Sequence, residues 1–147
     1  LIATGQMTGQ ALVFDIRDPA TPVLTDTIAV GAQPWHPIIS SNGKFAFFGN
    51  KADHTVTAIN MKERRVTATI EGNGLAQPHG SALSADGKYL YISNNNRKGT
   101  YKSSDTSSQS SNPPGTITVI NTDTYEIEKV IEVGPYPSGI GTRAMRQ

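Results

Sequence analysis

The sequence predicts an all-β chain assembled from repeated four-stranded antiparallel units, and three observations carry that prediction. Ala32-Gln33-Pro34-Trp35-His36 is echoed forty-four positions on by Ala76-Gln77-Pro78-His79-Gly80, and Ser41-Asn42-Gly43-Lys44-Phe45 maps onto Ala85-Asp86-Gly87-Lys88-Tyr89 at the same offset. A short β-rich run closed by an acid or amide recurs at Ala11-Leu12-Val13-Phe14-Asp15, Val56-Thr57-Ala58-Ile59-Asn60 and Ile117-Thr118-Val119-Ile120-Asn121. Polar and apolar residues alternate in Arg65 to Ile70 and Glu126 to Val133, aromatic and aliphatic runs of strand length stand at Phe45 to Phe48 and Tyr89 to Ile92, and no segment of useful length shows the 3.6-residue period of a helix. A unit of about 44 residues holding four short strands has the spacing of a β-propeller blade.

The elements follow in order. Leu1 to Thr4, Ala11 to Asp15 and Val23 to Val30 read as the second, third and outermost strands of a first blade over residues 1–31. A second blade spans 34–72, with Phe45-Ala46-Phe47-Phe48 as an apolar strand after the Asn42-Gly43 turn, and Arg65 to Ile70 as an alternating outer strand. Asn-Gly and Asp-Gly pairs supply the positive backbone angles that tight hairpins require. The third blade, 78–134, repeats the pattern through Asp86-Gly87, Tyr89-Leu90-Tyr91-Ile92 and the alternating run Glu126 to Val133, and it carries an insertion at 95–114. Pro137-Ser138-Gly139-Ile140-Gly141 then opens the inner strand of a further blade over 137–147. About three blade equivalents result, a partial propeller. Rings close with about four to eight blades, so the expected partners are neighbouring blades of a parent protein or a head-to-tail homo-oligomer.

Composition narrows the function. The 147 residues carry a net charge of +1, with 17% charged residues, so no basic face for nucleic acid or anionic membrane is expected. With no cysteine, disulfides, thiolate nucleophiles and cysteine-held metal sites are excluded. No apolar run reaches the roughly 20 residues of a membrane span.

The run from Pro78-His79-Gly80 through Ser84-Ala85-Asp86-Gly87-Lys88 to Tyr91-Ile92-Ser93-Asn94, followed by Val119-Ile120-Asn121 and a strand ending at Gly134, resembles the YVTN-type β-propeller repeat. The unit from Pro34 to Gly72 follows it more loosely, with Phe47-Phe48-Gly49-Asn50 in place of the family tetrad. The resemblance implies a WD40-like all-β repeat scaffold in a periplasmic, cell-surface or secreted protein. Trp35-His36-Pro37 and Pro78-His79-Gly80 are also similar to the histidine-bearing inner-strand entries of the nitrous oxide reductase copper propeller, and to the propellers of haem nitrite reductases. That likeness implies copper or haem as an alternative cofactor, ligated by His36 and His79. The copper propellers use seven histidines; this chain has three.

Blade geometry selects one face. Connections from the outer strand of one blade to the inner strand of the next emerge on the same face as those from second to third strand. His36 and His79 fall in the former connections, and His54, in Lys51-Ala52-Asp53-His54, falls in the latter. Trp35 and the 95–114 insertion share that face. Imidazoles at a channel mouth can ligate a metal or relay protons, or they can hydrogen-bond backbone at a blade junction. Trp35 can stack on a ligand or wedge between blades. As a lid, the polar insertion would bring Arg97, Lys98 and Tyr101 to an anionic ligand. The carboxylates scatter over turn positions where they cap backbone N–H groups, so no catalytic pair is expected. The leading reading is a non-catalytic scaffold for a protein or small-molecule ligand, with no cofactor. Its competitor is a redox or hydrolytic propeller with a metal or haem on the histidines.

Overall fold

The structure, a computed structural model, describes residues 1–103 and 112–143. It is all-β: three antiparallel sheets, with no helix among the described residues. Strands β1 (Ile2–Gly5), β2 (Gln10–Asp15) and β3 (Val23–Ala29) form the first sheet. The second holds β4 (Pro34–Ile39), β5 (Phe45–Asn50), β6 (Thr55–Asn60) and β7 (Arg65–Ile70). The third holds β8 (Pro78–Leu83), β9 (Tyr89–Asn94), β10 (Gly115–Asn121) and β11 (Ile127–Val133). Each is a simple meander. Together they make a partial propeller of about three blades, with β4 packed between β1 and β8.

Period-two alternation decides what each sheet buries. In β5, Ala46 and Phe48 turn to the first blade and join Ile2, Ala11, Val13 and Ile59. Phe47, between them in sequence, turns to the third blade and joins Val56, Ala58, Leu90 and Ile92. The middle blade is thus buried on both faces, which is why its central strands read as nearly unbroken apolar or small-residue runs. A bulge recurs at one place in every blade, between Val13 and Phe14, Ala58 and Ile59, and Val119 and Ile120. The extra residue increases local twist, which a blade needs more of at its outer edge.

The turns behave as their sequences demand. Asn42 and Asp86 accept backbone N–H groups from Lys44 and Lys88 through Oδ1, and Gly43 and Gly87 take φ of 69° and 74°. At the end of the tetrads, buried Asn50 donates from Nδ2 to Thr55 and Thr57, and buried Asn94 donates to Thr118, pinning the second strand to the third in both blades.

Residues 134–143 have no strand partner among the described residues, but they lie along β8. Thr142 Oγ1 donates to the Leu83 carbonyl, and a Cβ on Gly80 would meet the Ser138 carbonyl at 2.9 Å. Tyr136, just before Pro137, takes φ of 60°, as Gln33 (55°) does before Pro34 and Gln77 (59°) does before Pro78. The chain therefore enters this segment with the same backbone turn that opens β4 and β8. Among the described residues, no helix is long and apolar enough to cross a membrane.

Candidate functional site

The inner strands open with proline, Pro34 and Pro78, so His36 and His79 lie inside β4 and β8. This corrects the expectation that placed them in the preceding connections. Both strands are interrupted there. Against β5, two residues of β4, His36 and Pro37, stand opposite the single Phe48; against β9, His79 is the residue without a partner between Pro78 and Gly80. Each histidine therefore stands on a β-bulge, a device that re-aims a side chain out of the regular pleat. The bulges sit one position apart, which is why a fixed offset of forty-four matches His79 to Trp35 and not to His36. His36 has φ of 35° although it precedes proline, a conformation that neither its side chain nor the following ring favours.

The bulges bring three rings together. Trp35 and His79 stack, with centroids 4.3 Å apart and planes 30° apart. His36 meets both edge-on, at 5.0 Å from His79 and 5.1 Å from Trp35. Lys51 Nζ lies 5.2 Å from the centre of the Trp35 ring, a cation–π distance. Trp35 and His79 are half-buried and His36 is exposed. The Trp35 indole N–H is buried without a hydrogen-bond partner.

His79 donates from Nδ1 to the Ser138 carbonyl at 2.8 Å. That bond leaves Nε2 as the lone-pair nitrogen of the neutral ring. Burial holds the His79 pKa below the usual imidazole range; the Ser138 carbonyl works in the opposite sense, and the Lys51 and His36 charges reinforce the lowering. A histidine whose folded pKa is lowered contributes stability that is fully present above the unfolded value, about 6.5. That stability is lost as pH falls below it. The expected result is a melting temperature that declines between pH 7.5 and 5, with a shallower decline in His79→Gln, read by thermal melts across that range.

Other predicted residues go elsewhere. His54 Nδ1 accepts the Gln77 backbone N–H at 2.9 Å, so this ring fastens the second blade to the start of β8 and is not part of the ring cluster. Lys98 donates its backbone N–H to Gln77 Oε1. The Arg97 guanidinium lies 5.5 Å from the Tyr136 ring centre. Tyr101 donates its hydroxyl to Glu132 on the outermost strand at 2.8 Å, and burial, followed by that bond, raises its pKa. Tyr101 thus does not reach over the rings, which corrects the lid expectation for that residue; 104–111 of the insertion lie outside the described residues.

Two contributors were missed. Lys51 opens the same hairpin as His54, and its place in the second-to-third-strand connection was the available signal. Gly49 had none: it pairs with Trp35, and a Cβ there would lie 2.5 Å from Pro78 Cβ. Gly49→Ala is expected to push β8 off β4, costing about 1–3 kcal/mol by overpacking and unstacking Trp35 from His79. A lower melting temperature with an altered Trp35 emission spectrum checks it, Trp35 being the sole tryptophan.

Among the described residues, no three His, Cys, Asp or Glu side chains converge. The cleft of about 500 Å³ lined by Ser84, Tyr89, Tyr91, Ile140 and Arg143 includes none of the three rings. The ring cluster is an open rim.

No family model matches the chain, and no curated protein does. Solved structures do. Hydrazine synthase of Kuenenia stuttgartiensis is similar at 27% identity and a TM-score of 0.57, over 74% of this chain and 25% of that one. AztD of Citrobacter koseri is similar at 12% identity and a TM-score of 0.62, over 91% of this chain and 32% of that one. The apo form of AztD gives 12% identity and a TM-score of 0.63, with the same coverage. These are β-propeller proteins, and the likeness supports a propeller-like fold. The chain spans about a quarter to a third of the length of the structures it matches.

Proposed function

We propose that this chain is part of a non-catalytic binding scaffold of the YVTN-like propeller type, in an exported protein. Its ligand face is the rim where Trp35, His36 and His79 meet Lys51. The observation that carries the reading is the ring cluster itself: two neighbouring blades each use a bulge to turn an imidazole toward one indole. The groups gathered there are mostly donors. The Lys51 ammonium, the exposed His36 imidazole and the unpartnered Trp35 N–H suit a small ligand with anionic or acceptor oxygens. Export rests on the family resemblance and goes with a cysteine-free composition.

A second reading keeps its own observation. The Ser138 carbonyl fixes the His79 ring with Nε2 turned away from it, as a backbone carbonyl hydrogen-bonded to the far nitrogen does for a metal-bound histidine. His36 and His79 would then hold copper or haem iron, with further ligands from outside the described residues; Lys51 beside them opposes a bound cation. When bound, such a group would supply redox or Lewis-acid chemistry.

Trp35 fluorescence separates the two. Titration with inorganic phosphate and with citrate is expected to give a saturable change that Lys51→Ala weakens about tenfold, the loss of one charge-assisted contact of roughly 1.4 kcal/mol. Stoichiometric copper or iron in protein purified without chelator, lost in the His36→Ala/His79→Ala double variant, would overturn the scaffold reading in favour of the second.

A further inference from the structure

Gln77, two residues before His79, is held from two blades. Its carbonyl accepts the Asn95 N–H at 3.1 Å and its Oε1 accepts the Lys98 N–H at 3.1 Å, so the base of the insertion hangs on it. The first of these bonds belongs to the repeat, since the Gln33 carbonyl accepts the Lys51 N–H in the same way at 2.9 Å. The remaining bond crosses blades. The Gln77 N–H donates to His54 Nδ1 at 2.9 Å, tying the second blade's hairpin to the entry of the third blade.

His54 occupies a backbone position that suits another residue. It stands immediately before β6 with φ of 59°, and the residue immediately before β2 is Gly9, with φ of 64°. Glycine takes that left-handed angle without strain and histidine does not. Strain kept where the repeat itself has an unstrained solution points to a use for the side chain. That use is the bond to Gln77, for which glycine has no side chain.

The bond also fixes the protonation of the ring. An Nδ1 that accepts an N–H carries no proton, so the ring is neutral with its hydrogen on Nε2. A second proton sets two N–H groups face to face, and the bond is lost. Gln77 is 8% exposed, so water does not readily replace the ring as its acceptor. The charged side chains on the elements that meet here are Lys51 and Asp53 on the hairpin of His54, Arg97 and Lys98 on the insertion base, and Glu71 in the 71–77 connection. Asp53 Oδ2 accepts the Ala32 N–H, and Lys51 lies over Trp35.

We infer that His54 is a pH-sensitive latch: neutral, it holds Gln77 and so sets the start of β8 where the His79 ring meets Trp35; protonated, it releases that segment and the two rings unstack. His54 is thus a positioning residue that acts on the rim through Gln77. The inference takes the rim as the ligand face, but its test is run without ligand, so the latch and the ligand reading stand or fall separately.

Two substitutions isolate the latch. Asparagine tolerates the left-handed angle and its Oδ1 takes the place of the imidazole Nδ1, so His54→Asn keeps an acceptor at every pH. His54→Gly keeps the angle and removes the acceptor. Amide exchange of Gln77 and Lys98, corrected for the intrinsic effect of pH, is measured at pH 7.5 and 5.5, on either side of the ordinary imidazole value of about 6.5. In the wild type, protection of both amides should fall about tenfold at the lower pH, the worth of one such bond. His54→Asn should stay protected at both pH values and His54→Gly at neither, with β-sheet circular dichroism unchanged in both. Trp35 emission at pH 7.5 should be altered in His54→Gly alone. Equal wild-type protection at the two pH values would overturn the inference. So would a fall in His54→Asn as large as in the wild type, which assigns the titration to another histidine, or wild-type protection and emission in His54→Gly at pH 7.5.

Discussion

Phe47→Ala is expected to lower the unfolding free energy by about 3–5 kcal/mol, the usual cost of emptying a buried phenylalanine site. Phe47 is 2% exposed and sits where the second and third blades meet, among Val56, Leu90 and Ile92. Those neighbours belong to two strands, β6 of the second sheet and β9 of the third, so the cavity cannot close without moving one blade on the other. For a chain of this size the melting temperature should fall on the order of 10 °C. The same contact fixes β8 against β4, so the stacking of Trp35 on His79 should loosen as well, visible in Trp35 emission below the melting transition. Met7→Ala is the matching control: Met7 is 88% exposed, and its loss should stay within about 0.5 kcal/mol. Equal effects from the two substitutions would mean that the blades are not held by this interface.

Asn96→Ala is the second large effect, at about 3 kcal/mol, from buried hydrogen bonds left unmade together with a backbone angle that alanine disfavours. The Asn96 side chain is fully buried and closes the described part of the insertion on itself. Nδ2 donates to the Tyr101 and Pro114 carbonyls, and Oδ1 accepts the Tyr101 N–H. Asn96 also has φ of 48°, in the left-handed region that asparagine tolerates better than alanine. Asn96→Gly separates the two causes, since glycine keeps the backbone angle and loses only the bonds. Faster amide exchange at Tyr101, with the strands of the second blade still protected, is the expected signature. Uniform exchange across the chain would show that the insertion is not an independent unit.

These two positions differ in how visible they were. Phe47 stands in the apolar run Phe45-Ala46-Phe47-Phe48 after an Asn-Gly turn, and the sequence marked that run as a strand of the second blade; its place between the blades came from the structure. Asn96 looked like one of three asparagines in a polar loop, Asn94-Asn95-Asn96. Nothing local distinguishes the one that tethers the loop, because its partners lie at Tyr101 and Pro114. Tyr101 shows the same limit: its hydroxyl goes to Glu132, thirty-one residues away, for reasons of blade packing that the loop sequence does not contain.

The histidines mark the boundary most clearly. The repeat placed His36 and His79 in the connections leading to the inner strands of adjacent blades, and the structure puts them on those strands, which lie side by side. The repeat also paired His79 with Trp35, a match of positions that the bulges turn into a contact of rings. His54 was grouped with them by face, yet its ring nitrogen is taken by the Gln77 backbone.

What the sequence by itself determined was the all-β class, the blade period, the turns and the solvated face of the outer strands, because hairpin chemistry and strand alternation act over a few neighbouring residues. What only the tertiary structure decided was which side chains meet across a blade junction. A one-residue bulge rotates a side chain out of the pleat, and whether its ring then finds another depends on how two sheets wedge together. That wedging is set by residues such as Gly49 and Pro78, which lie far apart in the chain and touch only in the folded protein.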